Sequence, residues 1–224
     1  MDGASRGDRQ NAAVTRLLAS ALVLLALQPS EAAIRPLPAS VKAQLVRGKV
    51  WRPTCPVPLS GLRLVTVPYW GFDGRERTGQ LVVNKDAAAA TWRVFVRLHE
   101  LQFRIRHMSI DDMYGPGYTT DGDVTGSFEC RQAVPSPCSG GSGTGTWSNH
   151  AYGLAIDLNP VENPYVGCGM TRDKASLSYL DRNRHRRGMV TPAVIRAFEA
   201  VGWGWGGSWT GSTKDYMHFS ANGH

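Results

Sequence analysis

The stretch "SNHAYGLAIDLNP" (148–160) constrains this chain more than any other. Its second half reads as a short buried strand, yet it carries a carboxylate at Asp157. An unpaired charge is expensive to bury, so such a group is normally paired or bound to a metal. Side chains alternate along a strand. Tyr152, Leu154 and Ile156 therefore share one face, and Gly153, Ala155 and Asp157 the other. His150 falls in the turn before the strand, where a bend brings its imidazole beside Asp157.

A second stretch, "DYMHFS" (215–220), reads as another strand, with His218 between apolar Met217 and Phe219. If the two strands lie side by side, two imidazoles and one carboxylate converge. That is a three-ligand set for zinc, with the fourth position left to water. Asp215, three positions before His218, is the candidate carboxylate to deprotonate that water.

The rest of the chain sets the frame. Its 224 residues suffice for one domain with a real core. Arg6, Arg9 and Arg16 precede and flank the apolar run "LLASALVLLAL" (17–27), and small residues follow. This is the pattern of a secretory signal peptide over 1–33, cleaved after Ala32 or Ala33. The run is short for a membrane span, which needs about 20 apolar residues, so a cleaved signal is favoured over an uncleaved anchor, the alternative. No other stretch is a candidate span, so none is expected once the signal is removed. Residues 34–54 read as an extended, proline-bearing segment, and 55–224 as the functional domain.

The formal charge is +7, much of it in "RDK" and "DRNRHRRG" within 172–188. A basic exported protein is drawn to anionic polymer such as a cell wall. No nucleic-acid motif accompanies the charge, so no nucleic-acid partner is expected. The four cysteines, Cys55, Cys130, Cys138 and Cys168, are even in number, as in disulfide-bonded exported proteins. Three pairings are open; the short loop favours Cys130–Cys138, leaving Cys55–Cys168. None has C-x-x-C spacing, which argues against a cysteine zinc site.

"LRLVTVPYW" (62–70) and "LVVN" (81–84) read as a hairpin. Residues 86–102 read as a helix with Asp86 as its cap, 103–110 as a strand, and 191–202 as a helix with Thr191 as cap, Pro192 in the first turn and Gly202 past the end. His99 and His107 read as ordinary packing or surface histidines. Residues 111–147 form a long loop region, Gly-rich at 139–146; such loops are often functional. Segregated helices and short antiparallel strands indicate an α+β domain: a small antiparallel sheet with helices packed on one side.

"SNHAYGLAIDLNP", "WGWGGSW" (203–209) and "DYMHF" together resemble the VanY-like zinc peptidases of bacterial cell walls. That group comprises D-alanyl-D-alanine carboxypeptidases and L-alanyl-D-glutamate endopeptidases, which share a fold with the Hedgehog signalling domain. Its pattern is S-x-H, six residues, D, then a distal D/E-x-x-H. The resemblance implies that His150, Asp157 and His218 hold zinc and that Asp215 is the general base. It implies that Arg131, in "FECRQ", grips a substrate carbonyl or carboxylate and stabilises the oxyanion. It also implies that Ser148 bonds the substrate or positions His150. Members often carry proline where this chain has Met217. The substrate so implied is a peptidoglycan stem peptide, attacked by a monomeric enzyme resident at the wall. The bond cut is left open. A non-catalytic zinc module that binds the wall is the alternative, but it would need neither Asp215 nor Arg131. Trp203, Trp205 and Trp209 are expected mainly to pack.

Overall fold

The computed structural model describes residues 33–115, 122–139, 141 and 143–224. The signal segment, apart from Ala33, lies outside these residues, as do positions 140 and 142 of the Gly-rich loop.

The hairpin forms as its alternating pattern requires. Strands β2 (Leu62–Gly71) and β3 (Glu76–Asn84) pair antiparallel from Leu62↔Asn84 to Trp70↔Glu76. β1 (Ile34–Pro36) and the short β4 (Arg104–Ile105) share the other edge of β2, β1 antiparallel and β4 parallel. Both faces of the hairpin are buried. Val65, Val67, Leu81 and Val83 belong to a core with Val94, Phe95 and Leu98 of helix α2 (Ala88–Glu100). Leu62, Leu64 and Val82 belong to a second core with Val41 and Leu45 of helix α1 (Ala39–Arg47) and Ile110 of helix α3 (Ile110–Tyr114).

Helix α1 corrects the expectation that residues 34–54 are extended. Pro36 and Pro38 precede the helix and so do not interrupt it, and Val41 and Leu45 stand one turn apart on its buried side. Helix α2 begins one residue later than expected, with Ala87 rather than Asp86 at the cap position. The expected strand over 103–110 shrinks to the two residues of β4. Helix α4 (Pro192–Glu199) follows its signals: the Thr191 hydroxyl accepts from the Val194 amide, and Gly202 adopts a left-handed φ of 81° just beyond it.

The second sheet carries the site. β5 (Ala155–Asp157), β9 (His218–Ser220) and β7 (Gly204–Trp205) run antiparallel in the order β5-β9-β7. Ile156 and Phe219 are register partners, and both enter the first core. There Phe219 stacks on Phe198 with ring centroids 3.7 Å apart. A two-stranded ribbon, β6 (Tyr165–Val166) with β8 (Lys214–Asp215), lies alongside in sequence. The α+β class is as the sequence indicates, but helices pack on both faces of the hairpin rather than on one side, because both faces carry apolar residues: α2 covers one, α1 and α3 the other.

All four cysteines are bonded, but not in the favoured pairing. The bonds are Cys55–Cys130 and Cys138–Cys168. The reason lies in the excursion between residues 131 and 147. It folds back on itself, Gln132 bridging Trp147, which takes Cys138 away from Cys130. At its far end Gly167 packs so closely on Ser136 and Pro137 that no side chain would fit, bringing Cys168 to Cys138. Cys130 instead stays buried in the second core, its amide donating to Val50 O at 3.1 Å, next to Cys55.

Proteolysis under non-reducing conditions should release the peptide pairs 55/130 and 138/168, read by mass spectrometry. Replacing Cys55 and Cys130 by Ala should lower unfolding free energy by about 2–5 kcal/mol in a urea titration, since the bond closes a 75-residue separation.

Candidate metal centre

Strand register decides the centre of the site. Asp157 on β5 lies directly opposite His218 on β9, so the two side chains leave the same face of the sheet. Their neighbours Ile156 and Phe219 point the other way, into the core. Asp157 is also held from its second edge: its backbone exchanges two hydrogen bonds with Gly126, at 2.9 and 3.0 Å. A side chain at position 126 would meet the end of the Met113 side chain, which would have to move aside.

His150 arrives from a 3₁₀ turn, Asn149–Tyr152. Gly153, at φ 65°, reverses the chain into β5. The Ser148 hydroxyl caps that turn by accepting from the His150 amide at 3.3 Å. This bond holds the backbone of His150. The His150 ring donates through Nδ1 to Ser127 O at 2.7 Å, which leaves Nε2 with the free lone pair.

Three donor atoms then face one another. His150 Nε2 lies 3.1 Å from Asp157 Oδ2, His218 Nδ1 lies 3.1 Å from Asp157 Oδ1, and the two nitrogens are 3.2 Å apart. Tetrahedral zinc with bonds of roughly 2.0–2.1 Å places its ligand atoms about 3.3 Å apart. The triangle observed here has nearly that edge, so His150, Asp157 and His218 could hold a metal ion. Burial pushes the Asp157 carboxyl up, but the two imidazoles outweigh it and hold it well below the usual carboxylate range.

A cleft of about 400 Å³ opens over this group, with Arg131, Trp147, Tyr165, Trp209 and Asp215 in its walls. Asp215 pairs with Tyr165 across β8 and β6. Its Oδ1 is buried with no hydrogen-bond partner. Burial and then the charge of Asp157 push its carboxyl up to about 7, against the opposing pull of His218 and Arg131. The Met217 amide donates to the Asp215 carboxylate, a bond that proline at position 217 would remove. Arg131 donates through Nε to Glu129 Oε2 at 2.8 Å, and its carbonyl accepts from the Ser148 amide at 3.1 Å. It is held beside Cys130 by the bond to Cys55, not by one to Cys138.

Residues 142–221 match the D-alanyl-D-alanine carboxypeptidase family. That segment contains His150, Asp157, Asp215 and His218 and stops short of Arg131. The match supports a peptidase. No curated protein and no solved structure gives a significant match to the chain. Among the described residues no helix is long and apolar enough to cross a membrane.

Of the three tryptophans, Trp203 and Trp205 pack with the first core and Trp209 lines the cleft, its ring 5.8 Å from that of His218. His99 stacks on Trp70, a packing role.

Sequence reasoning missed the support beneath the site. Asn159 is fully buried at φ 44°, its side chain donating to Arg104 O and Gly188 O and accepting from the Arg106 amide. The signal was present in "DLNP": asparagine tolerates the left-handed region and Asn-Pro marks a turn. Close by, Arg106 reaches Asp123 at 2.6 Å and Glu162 at 2.7 Å, two buried carboxylates on one guanidinium. Burial and the neighbouring Asp123 push Glu162 up to about 7, with Arg106 opposing.

A carboxyl raised on folding binds its proton more tightly in the native state. Glu162 therefore contributes stability that is full below its ordinary value of 4.5 and is lost as pH rises through about 7. Glu162→Gln should flatten the pH dependence of the urea midpoint across that window. An unchanged slope in the variant would show that other groups set it.

Proposed function

We propose that this chain is an exported zinc peptidase that hydrolyses peptidoglycan stem peptides, of the D-Ala-D-Ala carboxypeptidase or L-Ala-D-Glu endopeptidase type. One observation carries the reading: three lone-pair donors from three chain segments meet at the spacing of a tetrahedral ligand set, and a second carboxylate, with an unpartnered oxygen, stands in the same cleft. Enzymes of the matched family are in general zinc-dependent, which agrees with two imidazoles and a carboxylate as donors. The signal-like N-terminus and two disulfides agree with export, and the +7 charge with residence at an anionic wall.

His150, Asp157 and His218 would hold the ion. Bound zinc would supply a Lewis acid for the scissile carbonyl and lower the pKa of water toward 7. Asp215 accepts the proton of the attacking water at Oδ1 and passes it to the leaving amine. A carboxyl raised toward neutrality is suited to both transfers. Arg131 steadies the substrate's carbonyl or carboxylate and the charge that develops on it. The Ser127 carbonyl keeps the His150 ring in the tautomer that presents Nε2. A wall-binding module without catalysis would give the unpartnered Asp215 oxygen no task.

The purified, oxidised protein should contain one zinc per chain by metal analysis, and His218→Ala should lose it. Asp215→Asn should keep the zinc and lose about 10²–10⁴-fold in stem-peptide hydrolysis. Full turnover in that variant would remove Asp215 as the base. Product masses would identify the bond cut.

A further inference from the structure

Beside the metal cleft lies an open hollow of about 550 Å³. Apart from Gly143, its lining residues precede the matched segment, Lys49, Arg52, Glu129, Arg131 and Gln132 among them. Arg131 belongs to both hollows, so the two share a wall. Three cations here face a single carboxylate, and that carboxylate, Glu129, is already bonded to Arg131 Nε. Among the described residues the side chains of Lys49 and Arg52 have no ion-pair partner.

The frame around these cations is built rather than loose. Arg52 lies over the ring of Trp147, 5.7 Å from its centroid, and Trp147 itself lines the metal cleft. The backbone of the 48–52 turn is tied down by three bonds: Lys49 N to Val46 O at 3.1 Å, Trp51 N to Leu45 O at 3.0 Å, and Cys130 N to Val50 O at 3.1 Å. The disulfide Cys55–Cys130 closes the same frame. Lys49 sits at φ 56°, in the left-handed region, while Gly48 beside it stays at φ −74°. Lys49 is the left-handed residue that ends helix α1, and its bond to Val46 fixes where the chain leaves the helix.

We propose that this hollow is an anion subsite that receives a side-chain carboxylate of the peptide substrate, on a residue flanking the bond cut in the adjoining cleft. The inference rests on the peptidase reading and adds the substrate's charge pattern to it. The shared Arg131 wall favours an occupant belonging to the molecule in the cleft, not a separate ion. Guanidinium and ammonium groups together suit a carboxylate: the arginine fork offers paired donors and Lys49 a point charge.

The test uses two stem peptides identical except that one side-chain carboxylate beside the scissile bond is free in one and amidated in the other. Calorimetry on the zinc-loaded Asp215→Asn protein measures binding without turnover. The free acid should bind about 10-fold or more tightly, the size expected of one charge-assisted contact. Lys49→Ala with Arg52→Ala should erase that preference, and Lys49→Glu should reverse it toward the amide. Equal affinity of the parent for acid and amide would overturn the subsite, as would a preference that survives both substitutions. Tight binding of an anionic wall polymer that depends on Lys49 and Arg52, with no preference between the peptides, would assign the hollow to the polymer and overturn the peptide reading. Failure of the unsubstituted enzyme to hydrolyse either peptide, with the acid preference intact, would remove the catalytic reading and leave the subsite standing.

Discussion

The pairing of β5 with β9 is the constraint on which the site depends. It sets Asp157 opposite His218 and, one residue on, Ile156 opposite Phe219. One pair of side chains is therefore polar and faces the cleft, while the other is apolar and fully buried. A slip of one residue would exchange the faces, placing a carboxylate in the core and a phenylalanine over the cleft. The stacking of Phe219 on Phe198 thus does more than stabilise the fold: it locks the register that brings Asp157 and His218 together.

Around that pairing the chain spends its buried polar groups on position. Gly126 clamps the backbone of Asp157, Ser127 orients the ring of His150, and Asn159 anchors the end of the strand to Arg104, Arg106 and Gly188. The Arg106, Asp123 and Glu162 network lies beneath. Each of these bonds satisfies a group that would be costly to bury alone, and each limits how far the converging donor atoms can drift.

The N-terminal segment contributes on a different scale. Helix α1 closes the second core, and the disulfide from Cys55 fixes the following turn against Cys130. The neighbour of Cys130 is Arg131, whose side chain divides the metal cleft from the basic hollow. One covalent bond thereby ties the packing of residues 37–59 to the geometry around the site.

Local pattern determined a good deal of this protein. Period-2 alternation marked β2 and β3, capping residues marked α4, and an aspartate in an apolar strand marked the need for a partner. His150, Asp157, Asp215 and His218 could be picked from the sequence because their contexts differ from those of surface residues. The tertiary structure decided what depends on contacts between distant segments. Cysteine pairing followed from where the 131–147 excursion folds, not from loop length. Helix α1 formed where two prolines suggested an extended segment, because Val41 and Leu45 found a sheet face to cover. The supporting bonds of Ser127 and Asn159, and the hollow beside Arg131, join residues that no local window contains. Propensity and periodicity act over a few residues, whereas the distances that make a ligand set or a subsite are settled only when the whole core packs.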